Sequence, residues 1–397
     1  MEYQKPSLLH YRFTQLLSWF VSTLIYGRRI IRNELRGKTG PFVVIANHES
    51  QLDFVTLIGM SKRRMSFVIS RSFYSTLPIR RFLDKLGVLP KQQFQTTLSD
   101  MKRCKAVVDA GEPLVIYPAG LMCEDGISTP IPGATYKFLK WLNVDVYAAR
   151  TKGAYFVMPK WSGKLRPGRT EMDVYRLFTK EELKALPLDE VKKRTDEALL
   201  FDAYREQETM RAVYSGGDNI RGLENVLYVC PHCGGEFTVN SAGKRALRCS
   251  ACGFSVKSDR YGFLRETSAF GTGLRYVSDW SRKIFNAQLE RLRTGKEQML
   301  SSPIRIHMID RGEQKFRQAG TGVLTLTAEG FTIRGMLRGK PLEFEQSIAG
   351  IPTLPFKPGR HLEIQQGQEI YRCLPKEGRL VMKFINMVKG FYALKNE

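Results

Sequence analysis

Hydrophobic positions in the first half of the chain fall into short continuous runs separated by longer stretches with helical spacing. Residues 41–46, 113–117 and 144–149 are short apolar runs, which indicates buried strands. Residues 53–59, shortly after the first run, predict a helix. Strands that alternate with helical stretches are typical of an α/β layer. We therefore expect an α/β domain, a sheet with flanking helices, that continues to about residue 186.

The pattern changes beyond that point. Residues 189–214 predict one long charged helix, and residues 280–300 a further helix. Beyond residue 300, short segments rich in β-branched and aromatic residues are separated by Gly, Pro and Asp. The predicted strands are 303–310, 322–327, 331–334, 342–344 and 362–365, and residues 380–394 predict a C-terminal helix. This order of elements resembles a small β-rich barrel or sandwich of the pleckstrin-homology (PH) or GRAM kind.

The N-terminal region contains a shorter apolar segment, residues 13–26, with Trp19 and Phe20 at its centre. Its 14 residues fall short of the ~18 to 20 that span a bilayer. Three arginines follow the segment, namely Arg28, Arg29 and Arg32. A secretory signal would have the small residues of a cleavage site at these positions. Aromatic apolar residues followed by arginines are typical of a helix in the membrane interface. A buried core helix is the alternative.

The charge of the chain favours an anionic partner. Lys and Arg total 62 and Asp and Glu total 39, which leaves a net charge of +23. Nucleic acid, an acidic membrane, a phosphate-bearing cofactor and an acidic protein are all compatible with that excess. Residues 1–40 hold seven basic and two acidic residues, and residues 62–105 hold eleven and two. We therefore expect an anionic surface to meet the N-terminal half, with an ordinary solvated basic surface as the alternative.

Four of the seven cysteines form two pairs, Cys230-Pro-His-Cys233 and Cys249-Ser-Ala-Cys252, separated by fifteen residues. Two residues between thiolates let one tight turn present both sulfurs to a metal, and two such turns complete a tetrahedron. A glycine follows the second cysteine of each pair, where such a turn often needs positive φ. This spacing predicts a structural zinc ribbon, and a redox pair is the alternative. Reduced thiols indicate a cytoplasmic protein.

The candidate chemistry centres on His48, at the end of the first predicted strand, with Asp53 five residues later. Across a strand-to-helix turn, a carboxylate can hold one imidazole nitrogen while the other takes a proton from a hydroxyl. This is two-thirds of a serine-protease triad, with the hydroxyl of the substrate in place of the serine.

Four segments in order carry a family resemblance. Asn47-His48-x4-Asp53 matches an NHxxxxD motif, and Gly87-Val-Leu-Pro90 looks like a second block. Tyr117-Pro-Ala-Gly120 stands where the family has Phe-Pro-Glu-Gly, and Val144-Asp-Val146 lies near its Val-Pro-Val block. Residues 40–160 thus resemble the glycerolipid acyltransferases of the PlsC-like, lysophosphatidic acid type. The resemblance implies phospholipid biosynthesis by acyl transfer from acyl-CoA or acyl-carrier protein to a lysolipid hydroxyl, with the histidine as base and no metal in the chemistry.

The sequence departs from the family pattern at three positions. Ala119 replaces a glutamate, Met122 an arginine, and Gln93 falls near the arginine of the second block. The resemblance associates those residues with binding of the glycerol phosphate, so the acceptor is left open. Backbone amides near Gly120 are candidates for holding the oxyanion. The catalytic candidates are His48 and Asp53, and the substrate-binding candidates are Asn47, Ser50, Tyr117, Gly120, Arg150 and Lys152. Lys160, Arg166 and Arg169 could add anion contacts or be solvated surface.

The expected organisation has six segments. They are an N-terminal membrane-interface helix (1–34), a PlsC-like acyltransferase domain (35–186), a helical linker (187–225), the zinc ribbon (226–258), a helical connector (259–300) and a β-rich PH/GRAM-like domain (301–397). The expected protein is cytoplasmic and peripheral on the inner face of the cell membrane, with membrane phospholipid and an acyl-CoA or acyl-carrier-protein donor as partners.

Two other functions stay open. One is a lipid-binding protein of the same fold with altered catalysis. The other is a zinc-ribbon nucleic-acid-binding protein, which the modest charge of the ribbon does not favour. That window holds Lys244, Arg245, Arg248 and Lys257 against Glu236.

Overall fold

The computed structural model describes residues 3–77, 79–93, 97–216, 220–310, 315–367 and 369–396. The chain divides into two compact units, Met1–Gly216 and Gly217–Glu397.

The first unit is built on a seven-stranded sheet with the strand order β1-β7-β6-β2-β5-β3-β4. Its neighbouring strands are parallel except for β6 and β7, which are antiparallel. The strands are β1 (Arg28–Asn33), β2 (Phe42–Ala46), β3 (Ser66–Ser70), β4 (Leu89–Lys91), β5 (Leu114–Ile116), β6 (Asp145–Lys152) and β7 (Thr170–Phe178). The three strands predicted from apolar runs are the adjacent central strands β6, β2 and β5. This agrees with the continuous apolar pattern of strands that are buried on both faces.

Helices surround this sheet, and β2 shows how both faces are covered. Val43 and Ile45 enter one buried apolar cluster, whereas Phe42, Val44 and Ala46 enter another, because successive side chains point to opposite faces. The helices are α1 (Leu8–Leu24), α2 (Asp53–Leu57), α3 (Arg71–Thr76), α4 (Arg80–Lys85), α5 (Leu98–Asp109), α6 (Ala134–Leu142), α7 (Ala154–Val157), α8 (Lys180–Ala185), α9 (Leu188–Leu199) and α10 (Ala203–Met210).

Two sequence-based expectations about helices differ from the structure. The long charged helix predicted over 189–214 is two helices, α9 and α10. The chain breaks between them because Asp202 caps α10, its carboxylate accepting bonds from the amides of Tyr204 and Arg205. At the N-terminus, α1 ends at Leu24, and the arginines that follow belong to β1, an edge strand of the sheet.

Helix α1 turns its polar side toward the domain and its apolar side outward. The buried positions are Tyr11, Thr14, Ser18 and Ser22. Its exposed side chains include Leu9 at 77%, Phe13 at 59%, Trp19 at 48% and Phe20 at 47%. The alternative of a core helix that buries Phe13, Trp19 and Phe20 is therefore wrong. Within the described ranges, no helix has the length and apolar content needed to cross a membrane.

The second unit begins with a 3-10 turn (Leu223–Asn225) and a small antiparallel sheet in the order β11-β10-β9-β8. Helix α11 (Val277–Arg293) leads to a seven-stranded antiparallel sheet in the order β15-β14-β13-β12-β18-β17-β16, followed by α12 (Leu380–Lys395). The small sheet has β8 (Val239–Ser241), β9 (Ala246–Cys249), β10 (Ser255–Ser258) and β11 (Leu264–Glu266). The large one has β12 (Leu300–Asp310), β13 (Lys315–Leu326), β14 (Gly330–Leu337), β15 (Lys340–Ser347), β16 (Phe356–Lys357), β17 (His361–Gln366) and β18 (Glu369–Pro375). The predicted α/β class with a β-rich C-terminal part is thus confirmed.

Within this unit the cysteine-rich segment and the two helices share one core. The buried Trp280 of α11 donates its indole N–H to the carbonyl of Val229, 2.8 Å away. Glu236, three residues after Cys233, forms ion pairs with Arg291 of α11 at 2.6 Å and Lys383 of α12 at 2.7 Å. The cysteine-rich segment is therefore part of the fold of the second unit.

Candidate active site

The loop after β2 brings His48 and Asp53 together. His48 Nδ1 lies 3.0 Å from Asp53 Oδ2. The imidazole is partly open to solvent, with 22% of the side chain exposed, whereas the carboxylate is 2% exposed. The second ring nitrogen of His48 can therefore face a substrate while the carboxylate orients the ring from the buried side.

The carboxylate of Asp53 is held by the loop that it closes. Asp53 Oδ2 also accepts bonds from the amides of Glu49 at 2.8 Å and Ser50 at 2.9 Å. Asp53 is the first residue of α2, so the helix start fixes its backbone. Its other oxygen, Oδ1, is buried without a hydrogen-bond partner among the described residues.

Two tyrosines border the pair. The ring of Tyr117 lies 4.6 Å from the imidazole of His48, centroid to centroid. Its hydroxyl is buried without a hydrogen-bond partner in the described ranges, and burial, reinforced by the charge of Asp53, raises the tyrosine pKa. The hydroxyl of Tyr26 lies 2.9 Å from the buried Ser50 Oγ. Ser50 therefore supports the loop from inside, and the sequence analysis had not singled out Tyr26.

Asn47 and Glu49 tie the same loop to the neighbouring strand β6. The amide of Asn47 donates to the carbonyl of Thr151 at 2.7 Å and accepts from the Thr151 amide at 2.7 Å. Glu49 is fully buried and accepts from Asn47 Nδ2 at 3.3 Å and from the amide of Tyr155 at 3.0 Å. Asn47 thus connects the end of β2 to β6. Glu49, which sequence reasoning missed, connects the His48 loop to α7.

Glu49→Gln should change how stability depends on pH. Burial, then the charges of Glu206 and Asp53, raises the pKa of Glu49 well above its usual range. The native state therefore holds a proton that the unfolded chain releases above pH ~4.3, and native stability falls as pH rises toward the folded-state pKa. Glutamine does not titrate. In denaturant unfolding, the stability of the variant relative to the unaltered protein should rise as pH increases above ~4.3, by at most about 1.4 kcal/mol per pH unit.

Glu343→Gln is the control for this measurement, because that carboxylate belongs to an exposed ion pair with Arg334. It should show no such trend. A stability difference that stays constant with pH for Glu49→Gln would contradict the assignment of a protonated buried carboxyl group.

The second and third motif blocks meet beside this loop. Gln93 Nε2 donates to the carbonyl of Gly120. The amide of Gly120 donates to the carbonyl of Tyr117 at 3.0 Å, and that of Cys123 to the carbonyl of His48 at 3.4 Å. The Gly120 amide is therefore already used within its own turn. Gln93, Ala119 and Met122 are neutral, where the family that the sequence resembles has charged residues.

The basic residues proposed for substrate binding contact different parts of the domain. Arg150 pairs with Glu206 and donates to the carbonyl of Leu200 at 2.8 Å, so its guanidinium is engaged within the domain. Lys152 ends β6 and is half-buried. Among the others, Lys160 donates to the carbonyl of Met122 at 3.3 Å, Arg166 lies 4.8 Å from the Trp161 ring centroid, and Arg169 donates to the carbonyl of Met210.

A second candidate site lies in the other unit, where the four paired cysteines converge. Their sulfur atoms all lie within 4.8 Å of one another, with 3.7 Å between Cys230 and Cys252 and 3.8 Å between Cys233 and Cys249. Gly234 and Gly253, the glycines after each pair, have φ of 73° and 78°, as predicted. These four thiols could hold one metal ion.

Comparisons with known proteins address the first site. Residues 26–160 match the family model described as Acyltransferase. The chain is 24% identical over 139 residues to the chloroplastic 1-acyl-sn-glycerol-3-phosphate acyltransferase BAT2 of Brassica napus, which covers 34% of this chain. The chain spans 40% of the length of that relative.

Solved structures were also matched, and two of them are described here. One is the 1-acyl-sn-glycerophosphate acyltransferase PlsC of Thermotoga maritima, at 16% identity and a TM-score of 0.43, covering 52% of this chain and 81% of that one. The other is the Ran-binding domain of Nup2 from Ashbya gossypii, at 13% identity and a TM-score of 0.19, covering 24% and 99%.

Residues 26–160 thus match an acyltransferase family model, and the relative they resemble is a glycerolipid acyltransferase, in agreement with the resemblance that the four motif segments carry. The match includes His48, Asp53, Tyr117 and Gly120 and ends before the cysteine-rich segment.

Proposed function

We propose that this protein is an O-acyltransferase that moves an acyl chain from a thioester to the hydroxyl of a lysolipid. The observation that carries the proposal is the His48–Asp53 pair, with its 3.0 Å contact and a partly exposed imidazole, inside an acyltransferase-family domain. His48 Nε2 takes the proton of the hydroxyl as that oxygen attacks the thioester carbonyl. The tetrahedral intermediate then expels the thiolate, which takes a proton from the imidazolium.

Asp53 acts on this step through His48. Its Oδ2 accepts a hydrogen bond from Nδ1–H, which fixes the tautomer that leaves Nε2 unprotonated and stabilises the imidazolium. The Gly120 amide donates to the carbonyl of Tyr117, so the oxyanion contact would fall to other backbone amides of this turn.

The neutral residues Gln93, Ala119 and Met122 leave the acyl acceptor open. They lack the charges with which the family binds the glycerol phosphate, so lysophosphatidate is one candidate among several lysophospholipids. The direct test incubates the purified protein with acyl-CoA or acyl-carrier protein and a panel of lysophospholipids, including lysophosphatidate, and detects diacyl products by mass spectrometry. Lipid binding without turnover of any donor would favour the catalytically altered lipid-binding protein.

We further propose that the four cysteines bind a structural zinc ion. A Zn–S bond of about 2.3 Å makes the edge of a regular sulfur tetrahedron about 3.8 Å, which two of the S–S distances here match, at 3.7 and 3.8 Å. Four thiolates complete the coordination of zinc, so the ion would stabilise the fold and take no part in acyl transfer.

We also propose that α1 lies in the interface of an anionic membrane, with the protein peripheral on the cytoplasmic face. The polar side of the helix is fixed to the domain. Gln15 donates to the carbonyls of Ile58 and Ser61 at 2.9 Å, and the hydroxyl of Tyr11 accepts from the Met65 amide at 2.9 Å. The apolar side is thereby held outward, as in interfacial helices.

Fewer of the cations near α1 are available for lipid phosphates than the sequence suggested. Arg28 lies 5.7 Å from the Trp19 ring centroid, and Arg29 is exposed. Arg32 instead forms two hydrogen bonds with Asp173, at 2.8 and 3.0 Å. The basic stretch at 62–105 is also partly used inside the domain. For example, Arg63 pairs with Glu112 at 2.9 Å.

Trp19→Ala with Phe20→Ala should weaken binding to all vesicles and barely change stability, because both side chains are about half exposed. Arg28→Glu with Arg29→Glu should weaken binding mainly to anionic vesicles and mainly at low salt, at about 1 kcal/mol per basic residue. Vesicle co-sedimentation and thermal melting on the same proteins measure both effects.

The matched control is Val323→Ala with Met336→Ala, which removes two exposed apolar side chains from the large sheet of the second unit. It should leave vesicle binding unchanged. Equal losses in both apolar variants, or a large drop in melting temperature with normal binding for the α1 variant, would be inconsistent with an interfacial α1.

A further inference from the structure

A group of basic side chains lies on one face of the large sheet in the second unit. Three strand pairings bring it together. Arg372 of β18 is opposite His307 of β12 on one side and Glu363 of β17 on the other, and Lys357 of β16 is opposite His361 of β17. Directly opposed residues on neighbouring strands share a face. Arg305, two residues before His307, and Arg360, in the turn between β16 and β17, add two further cations.

One member of this group is held rigidly. Arg372 donates through Nε and Nη2 to Glu363 Oε1, at 3.0 and 2.7 Å, and its guanidinium carbon lies 3.4 Å from the ring centroid of Phe316. Glu363 is almost fully buried. A buried carboxylate and an aromatic ring thus fix the direction of this guanidinium and leave Nη1 available for another partner.

The remaining charges are not neutralised within the described part of the chain. Lys357, Arg360 and Arg305 form no ion pair with any described carboxylate, whereas Arg372 pairs with Glu363. His307 Nε2 is buried without a hydrogen-bond partner there. Like charges gathered on one face destabilise a fold unless an anion offsets them.

The pKa values of the two histidines are lowered by the same positive charges. Burial, followed by the charges of Arg372, Arg360 and Lys357, lowers the pKa of His361 to about 2. Burial, Arg305 and Arg372 lower the pKa of His307. The cations thus act on the same small volume and leave both imidazoles neutral in the absence of an anion.

We propose that His307, Lys357, Arg360, His361 and Arg372 form a binding site for a phosphate group, separate from the acyltransferase site. A phosphate monoester carries nearly two negative charges and three terminal oxygens at neutral pH, which suits several convergent cationic donors. Arg372 offers a pre-oriented N–H, Lys357 and Arg360 offer mobile charges, and the imidazoles offer short-range donors. The phosphate belongs either to a lipid headgroup or to a small soluble molecule.

The test measures binding of inorganic phosphate to the full chain by calorimetry in phosphate-free buffer. Lys357→Gln with Arg360→Gln should raise the Kd for phosphate about tenfold or more, because the loss of one hydrogen bond between charged groups is enough to change a Kd about tenfold. Both residues lie at least partly at the surface, and their removal reduces the repulsion between like charges, so the melting temperature should not fall. Arg334→Gln with Lys340→Gln removes the same charge from the distant strands β14 and β15 and should leave phosphate binding intact.

Histidine NMR locates the site independently of affinity. The chain has only 5 histidines, so the signals of His307 and His361 can be assigned by substitution. Added phosphate should shift these two signals in the unaltered protein and not in the Lys357/Arg360 variant. An unaltered protein that binds no phosphate, shifts confined to His48, or equal losses in the two double variants would each overturn the proposal.

Vesicles distinguish the two sources of phosphate. Phosphatidylcholine vesicles containing phosphatidate present a phosphomonoester, and vesicles with an equal charge from phosphatidylglycerol present a phosphodiester. If the site takes a lipid headgroup, the Lys357/Arg360 variant loses affinity for the phosphatidate vesicles alone. If it takes a soluble molecule, the variant loses phosphate binding and keeps normal binding to both vesicles.

Discussion

His48→Ala is expected to lower acyl transfer at least ~100-fold and to leave the protein folded. Removal of a general base usually costs 10²- to 10⁴-fold in rate. The partly exposed imidazole contributes little to the core, and Asp53 keeps its bonds to the amides of Glu49 and Ser50. Initial rates with a thioester donor and the best lysolipid acceptor, together with thermal melting, measure the two effects separately.

Asp53→Asn should be nearly as damaging, because the neutral amide no longer stabilises the imidazolium and can hold the ring in the wrong tautomer. His10→Ala is the matched control, since that histidine lies in the same unit on α1 and bonds only Ser7 among the described side chains. Full activity in purified His48→Ala would reject the mechanism. An equal loss in His10→Ala would show that the assay reports general damage.

The centre of the first sheet could be predicted and its edges could not, for a physical reason. β2, β5 and β6 are buried on both faces, so their sequences are continuous apolar runs. Edge strand β1 reads Arg-Arg-Ile-Ile-Arg-Asn because one side of it faces solvent, and β4 has only three residues. Neither gives an apolar signal that differs from that of a loop.

The site divides in the same way between local and distant contacts. His48 and Asp53 are five residues apart, so one turn is enough to join them, and the sequence predicts the pair. The partners of Arg150 and Asn47, namely Glu206 and Thr151, lie 56 and 104 residues away, and only the folded chain reveals them. The orientation of α1 is similarly hidden, because apolar periodicity does not specify which side of a helix packs.

Loss of the metal is expected to have the largest effect on stability. Freshly purified protein should contain one zinc ion per chain, and Cys230→Ala should abolish it and unfold the second unit. The free energy of zinc binding is also folding free energy, about 10–16 kcal/mol in zinc-finger peptides. The cysteine-rich segment shares its core with α11 and α12 through Trp280 and Glu236, so its collapse exposes both helices. Metal analysis and thermal unfolding with and without a chelator measure these effects.

Cys373→Ala is the matched control, because that thiol is equally buried in the same unit and lies on β18, outside the cysteine cluster. It should retain zinc and lose only the small contribution of one buried sulfur. The cysteine cluster belongs to the second unit and the catalytic pair to the first. Protein treated with a chelator should therefore lose the unfolding transition of the second unit and retain that of the first. Metal-free protein with both transitions intact would mean that the four cysteines are held together by the sheet and not by an ion.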